Sequence, residues 1–255
     1  MSRTIVITGA ASGIGKATAD RLIGKGHRVI GVDIREADIV ADLSTSAGRA
    51  EMIARIAELA PEGIDGVLTS AGSANFDKPG FVLATNYFGT VETIAGLRPQ
   101  MRAPGARCVA VASTALLAAS DDTLELEELC LAGDEPAAVA LADQRGFLQA
   151  YPGAKRALSK WARQTTIKPE WAGSGVLINT VAPGVVKTPM VEGALADPRQ
   201  AATIREKSPK ATPEYAEARD AAELLDFLLT CETDQIVGQV IFLDSGSEAI
   251  MRPNL

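Results

Sequence analysis

Residues 149–160 read QAYPGAKRALSK, which sets Tyr151 and Lys155 four positions apart. On a helix that spacing puts both side chains on one face, so the pair can hand on a proton. A free tyrosine, with a pKa of about 10, is a poor base at neutral pH. A lysine ammonium within a few ångströms favours the phenolate and brings its pKa toward the working range. The spacing alone carries little weight, because Tyr215 and Arg219 come close to repeating it elsewhere in the chain. Pro152 follows the tyrosine directly. It lacks an N–H and disfavours helical geometry in the residue before it, which predicts a helix beginning at or very near Tyr151.

A second group of residues suits an anion. TIVIT at 4–8 predicts a short β-branched strand, followed by GAASGIG and then a helix running toward Leu22 and Ile23. Glycines let the backbone approach a pyrophosphate closely, and the free N–H groups of a helix start point at it. The turn from Gly9 through Ser12, Gly13, Ile14 and Gly15 fits an ordinary tight turn as well. The next strand, RVIGVD, ends on Asp33, about twenty residues further on, where a carboxylate can accept hydrogen bonds from an adenosine ribose. That carboxylate would repel a 2′-phosphate, so NAD is expected over NADP, with Arg35 keeping NADP as the second choice.

The elements that must position these groups alternate. Met52, Ile53, Ile56 and Leu59 recur at helical spacing within 46–60; GVLTS at 66–70 predicts a strand, and a helix follows over about 81–97. Strands are predicted at 108–112, 176–181 and 240–243, and helices at 154–167 and 221–230. Repeated βα order implies one α/β domain over 1–255, a mostly parallel sheet with helices on both faces. A ligand then lies beyond the carboxyl ends of the strands. The residues in question are Gly9 to Gly15, Asp33, Asp42, Ala71 with Gly72, Ser113 with Thr114, and Pro183 with Gly184.

Composition narrows the function classes. The 255 residues are 47% hydrophobic and carry a net charge of -7, with no Lys/Arg patch suited to a phosphate backbone, so nucleic acid is not an expected partner. The longest weakly polar run, 108–119, is too short to span a bilayer, and MSRTIVITGA has no leader character; a cytoplasmic protein without membrane attachment is expected. Cys108, Cys130 and Cys231 are dispersed, so neither a metal site nor a disulfide framework is indicated. His27 is the single histidine and no G-x-S-x-G occurs, which argues against a Ser-His-Asp hydrolase.

Taken together, TGAASGIG, Asp33, ADL at 41–43, SAG at 70–72, NYFG at 86–89, Ser113, YPGAK and NTVAPGVVKTP at 179–189 resemble the short-chain dehydrogenase/reductase family over essentially the full chain. GVDIREADIVADLST at 31–45, LAGDE at 131–135 and the tail IMRPNL narrow the resemblance to its 3α-hydroxysteroid dehydrogenase/carbonyl reductase branch. The resemblance implies a Rossmann-type doubly wound sheet and an enzyme interconverting a secondary alcohol and a ketone. Tyr151 would be the acid/base. Lys155 would lower its pKa and hold the nicotinamide ribose, Ser113 would bond the reacting oxygen, and Asn86 would organise a water behind Lys155. Asp42 and Leu43 would meet the adenine, Ala71 and Gly72 the adenosine ribose, and Thr188 the carboxamide, with Pro183 and Gly184 also at the cofactor. Hydroxysteroids and nonsteroidal carbonyls are the leading substrates and a coniferyl-type aromatic alcohol the alternative. A non-catalytic dinucleotide sensor ranks below both, having no use for Ser113, Tyr151 and Lys155 together.

Thr69 and Ser70 stand where this family commonly has two asparagines, and Ala154 replaces the usual serine before the lysine. Ser113 and Tyr151 are 38 residues apart, where about a dozen is usual, so an insertion over about 117–147 is expected. LELEELCLA ending at Gly133, then Asp134 and Pro136 opening a second helix that stops at Gly146, predict an inserted αα-hairpin. In many relatives the tyrosine-bearing helix builds a tetramer. A hairpin covering it would favour a homodimer, with a homotetramer as the alternative and a lid or packing ornament as the simpler role. A substrate segment over about 185–212 offers Met190, Val191, Leu195 and Ile204 to an apolar substrate.

Overall fold

The computed structural model describes residues 2–196 and 198–254. Its centre is a seven-stranded parallel sheet whose inner strands are buried on both faces, as parallel sheets covered by helices require. In chain order come β1 (Thr4–Thr8), α1 (Gly13–Gly24), β2 (Arg28–Asp33), β3 (Ile39–Val40), α2 (Ser46–Leu59) and β4 (Gly66–Thr69). Next are α3 (Pro79–Leu83), a π-helical turn (Ala84–Phe88), α4 (Gly89–Leu97) and β5 (Arg107–Val111). Helices α5 (Leu124–Ala132), α6 (Glu135–Arg145) and α7 (Phe147–Thr166) precede β6 (Leu177–Pro183). The chain then forms β7 (Val186–Lys187), α8 (Pro189–Ala196), α9 (Pro198–Lys207), β8 (Ala216–Glu217), α10 (Ala218–Thr230), β9 (Val240–Leu243) and α11 (Ser247–Met251).

The strand order β3-β2-β1-β4-β5-β6-β9 reverses between β1 and β4, which opens a crevice at their carboxyl ends. Side-chain alternation divides the core. Val6 of β1 packs with Ile30, Val67, Ile56, Leu97 and Leu158 on one face. Its neighbours Ile5 and Ile7 pack with Leu22, Leu68, Leu225 and Leu229 on the other. Helices α1 and α10 thus cover one side, and α2, α4 and α7 the other.

Two expectations about helices change. Helix α7 starts at Phe147, four residues before Tyr151, and Pro152 lies inside it. The first turn is held by Gly146, at φ +83°, whose carbonyl accepts from Gln149 and Ala150. Packing outweighs the local cost of the proline: Ala150 is fully buried and the Phe147 ring stacks on Tyr151. The bond forfeited is the one Leu148 would have accepted, on the turn whose side chain is exposed. The predicted 81–97 helix begins at Pro79 and widens into the π-helical turn before continuing as α4.

The 117–147 region contains α5 and α6, joined through Gly133 at φ +78°, and Asp134 caps α6 by accepting from the Ala137 N–H at 3.2 Å. Glu127 of α5 is buried and accepts from Thr123, from Arg156 at 2.6 Å and from Lys160 at 2.7 Å, which bonds α5 to α7. The substrate segment is largely helical: α8 and α9 lie between β7 and β8, which pair as a small separate sheet. Asp197, within that segment, lies outside the described residues.

Candidate active site

Each chemically interesting side chain emerges from a strand end or from a helix packed against one. Ser113 follows β5 and starts a 3-10 turn, its Oγ accepting from the Ala115 N–H at 3.1 Å. Tyr151 and Lys155 lie one turn apart on α7. Lys155 is 5% exposed, and its Nζ donates to the Val111 carbonyl at the end of β5 at 2.8 Å. The ammonium stands 5.8 Å from the centre of the Tyr151 ring.

Burial acts on both partners in the direction that disfavours charge. It pushes the Tyr151 phenol up from its ordinary value, with a hydrogen bond from Ser113 opposing the rise. It also pulls Lys155 down to about 8.

Asn86 is fully buried in the π-helical turn. Its Oδ1 accepts from the Ser73 N–H at 2.9 Å and its Nδ2 donates to the Ser73 carbonyl at 2.8 Å. The amide thus fixes the 71–73 segment through both polar atoms. Gly72 lies against it, where a Cβ would come within 2.8 Å of Oδ1.

At the other end of the crevice, Gly9 has φ +71°, and a Cβ there would lie 2.7 Å from the Ala71 nitrogen. A Cβ on Gly15 would run into the Gly9 carbonyl. Ser12 precedes α1 without a capping side-chain bond, which leaves the first-turn N–H groups directed outward. Asp33 reinforces the turn: one carboxylate oxygen accepts from the Ala11 N–H at 3.0 Å and the other from the Ile34 N–H at 2.7 Å. Asp42 folds its own loop by accepting from both the Ser44 N–H and hydroxyl. Arg49, almost fully buried, donates to the Leu43 carbonyl at 3.1 Å and to Glu92 and Glu135.

A single cavity of about 380 Å³ joins the two ends. Ser113, Tyr151, Lys155 and Asn86 line it near α7; Gly9, Ser12, Gly13, Ile14, Asp33, Asp42 and Leu43 line it near β1 and β2. Ala71, Gly72, Pro183, Gly184 and Thr188 lie between them. Gly15 is set back from the wall, beneath Gly9, and Thr114 does not line it either. Met190 and Val191 reach the cavity whereas Leu195 and Ile204 do not, and Ser73, Phe81 and Thr85 line it unanticipated. Those three fall within a loop and a helix whose inward face the sequence pattern does not reveal. His27 accepts from the Arg3 N–H and is not part of the wall.

Comparison with known proteins decides the family. The short chain dehydrogenase model matches residues 3–122, and the Enoyl-(Acyl carrier protein) reductase model matches residues 138–248. The 3-alpha-hydroxysteroid dehydrogenase/carbonyl reductase of Comamonas testosteroni is 36% identical over 256 residues, with 98% of each chain covered. The chain belongs to the short-chain dehydrogenase/reductase family. Another family member, the 3-alpha-hydroxysteroid dehydrogenase from Pseudomonas sp. B-0831 complexed with NADH, matches at 37% identity with a TM-score of 0.90 and 99% of both chains covered. The coniferyl-alcohol dehydrogenase of Pseudomonas sp. (strain HR199 / DSM 7063) is 29% identical over 96% of each chain. As a short-chain dehydrogenase/reductase the protein is an oxidoreductase, and the glycine cradle at Gly9 and Gly15, which a side chain would fill, fits a nicotinamide dinucleotide. Among the described residues, no helix is long and apolar enough to cross a membrane.

Proposed function

We propose that this protein interconverts a secondary alcohol and a ketone with NAD, on a hydroxysteroid or a nonsteroidal carbonyl compound. The observation that carries the reading is the meeting of Tyr151, Lys155 and Ser113 at one end of a cavity whose other end is the glycine cradle. The bound dinucleotide supplies the hydride or accepts it. Oxidation also requires removal of the hydroxyl proton, and Tyr151 takes it, returning it to the forming alkoxide in reduction. Ser113 holds the reacting oxygen and stabilises charge as it develops there. Lys155 holds the nicotinamide ribose from its anchorage on β5. Asn86 fixes the 71–73 backbone through Ser73 and would organise a water behind Lys155, while Ala71 and Gly72 would lie along the adenosine ribose and Thr188 would hold the carboxamide.

Asp33 supports NAD over NADP, because its carboxylate at the end of β2 would face a 2′-phosphate, while Arg35 is exposed and outside the cavity wall. The match to a coniferyl-alcohol dehydrogenase favours aromatic alcohols as the second substrate reading. Packing of α5 and α6 over α7 supports assembly as a homodimer that does not use the tyrosine-bearing helix.

The test is turnover with NAD and NADP against steroid, aliphatic and aromatic alcohols, repeated with Tyr151→Phe. Removal of the proton-transfer group lowers kcat by about 10²–10⁴-fold with the dinucleotide still bound. Unchanged turnover in the variant overturns the mechanism, and absence of turnover in both points to the dinucleotide sensor.

A further inference from the structure

Arg49 of α2 is 1% exposed, and its guanidinium is engaged in three directions. Nε donates to Glu92 of α4 at 2.6 Å, and Nη2 donates to Glu135 of α6. Nη1 is shared: it donates to the other Glu135 oxygen at 3.2 Å and to the Leu43 carbonyl at 3.1 Å. A planar fork of donors serves several acceptors at fixed angles, which a lysine ammonium on its flexible stem does not. The two carboxylates are unequal, the Glu92 side chain being 44% exposed and that of Glu135 23%. Glu135 opens α6, in the long stretch between Ser113 and Tyr151, so its bond brings a distant element to bear on Leu43.

The Leu43 carbonyl connects this cluster to the cavity. Asp42 and Leu43 line the cavity on the turn between β3 and α2. Up to Ala41 the chain is tied to β2, because the Ala41 N–H donates to the Asp33 carbonyl at 2.9 Å. Beyond it, among the described residues, the turn's other hydrogen bonds are local: Ser44 and Thr45 bond back to Asp42, and Thr45 caps α2. Arg49 joins the turn to α4 and α6. The same carbonyl packs so closely on α4 that a Cβ on Gly89 would come within 3.0 Å of it.

The geometry points to Arg49 and Glu135 as positioning residues for the adenosine half of the dinucleotide. Glu135 holds the guanidinium that fixes the Leu43 carbonyl, so the wall at Asp42 and Leu43 is set before the cofactor arrives. A buried cation needs its counterions. With Glu135 neutralised, the remaining carboxylate is the more exposed Glu92 on the Nε side, and the guanidinium moves toward it and off the carbonyl. The inference rests on the reading that Asp42 and Leu43 meet the adenine, and it gives α6 a part in cofactor affinity beside any part in assembly.

The test compares Glu135→Gln, which keeps the shape and removes the charge, with Asp143→Asn. Asp143 is on the same helix and accepts from the Gly80 N–H at 2.7 Å, a tether from α6 to α3 that does not run through Arg49. Fluorescence titration gives the affinity for NADH, and competition gives that for ADP-ribose, which lacks the nicotinamide. Glu135→Gln should weaken both ligands by the same factor, about fivefold, and Asp143→Asn should weaken neither. Arg49→Lys, which keeps the charge without the fork, should reproduce the loss. In the cofactor-free protein, deuterium exchange at the 41–45 amides should quicken in Glu135→Gln and not in Asp143→Asn. Unchanged exchange at 41–45, or equal effects of the two α6 variants, overturns the positioning role. Faster exchange with an unchanged ADP-ribose affinity overturns it as well, and there the fault lies in placing the adenine at Asp42 and Leu43.

Discussion

Lys155 shows how a single residue is shaped by its setting. Its side chain is buried, it donates to the Val111 carbonyl, and its pKa falls to about 8 from an ordinary 10.5. A folded-state pKa below the unfolded one means that the charged form costs stability at every pH under about 8. The cost fades as the pH rises through the folded value and is gone above 10.5. Wild type should therefore gain stability relative to Lys155→Met between about pH 8 and 10.5, as read from denaturant midpoints of both proteins across that range. The lost bond to Val111 shifts the variant by the same amount at every pH, so the slope of the difference isolates the lysine. A flat difference would mean that the ammonium is not destabilised by burial. Tyr151 follows the same logic with the opposite charge: burial keeps the phenol protonated, and the hydrogen bond from Ser113 is the protein's counterweight.

At the scale of elements, α7 is positioned from two directions. Its inner face packs Ala154, Ala157 and Leu158 on the sheet side, while Arg156 and Lys160 reach outward to the carboxylate of Glu127 on α5. Glu127 is buried, so its charge is compensated by those two cations and the Thr123 hydroxyl. Glu127→Gln should cost about 3 kcal/mol, because it leaves two cationic partners without their counterion in a partly buried setting. Arg156 and Lys160 hold the Glu127 carboxyl below its ordinary 4.5, although burial opposes them. A depressed folded value makes the stabilisation complete above about pH 4.5 and progressively lost below it. The difference in melting temperature between wild type and Glu127→Gln should thus be full at neutral pH and shrink below about pH 4.5. A difference that ignores pH would assign Glu127 a packing role only. The start of α7 at Phe147 belongs to this scale too: the penalty at Pro152 is local, and the packing of Ala150 and Phe147 that overrides it is not.

For the whole molecule, the reversal of strand order between β1 and β4 creates the crevice, and the proposed catalytic side chains Ser113, Tyr151, Lys155 and Asn86 line it. Helices α5 and α6 lie on α7, so a homodimer built through another surface should appear as a single species in multi-angle light scattering. A tetramer whose contacts run through α7 would contradict that assembly. Alternating β-branched runs and amphipathic helices were legible in the chain because both have a fixed period, and Tyr151, Lys155, Ser113 and the glycine turn because their chemistry needs those residue types. By itself, then, the sequence determined the βα order, the candidates for the reacting groups and the helical nature of 124–145, where Gly133 and Asp134 punctuate the chain locally. Only the tertiary structure decided where α7 begins, that Asn86 spends its amide on Ser73, that Lys155 is anchored to Val111, and that Phe76 stacks on Phe147. Each of these depends on contacts between segments far apart in the chain, and a local pattern holds no record of which distant surface will be pressed against it.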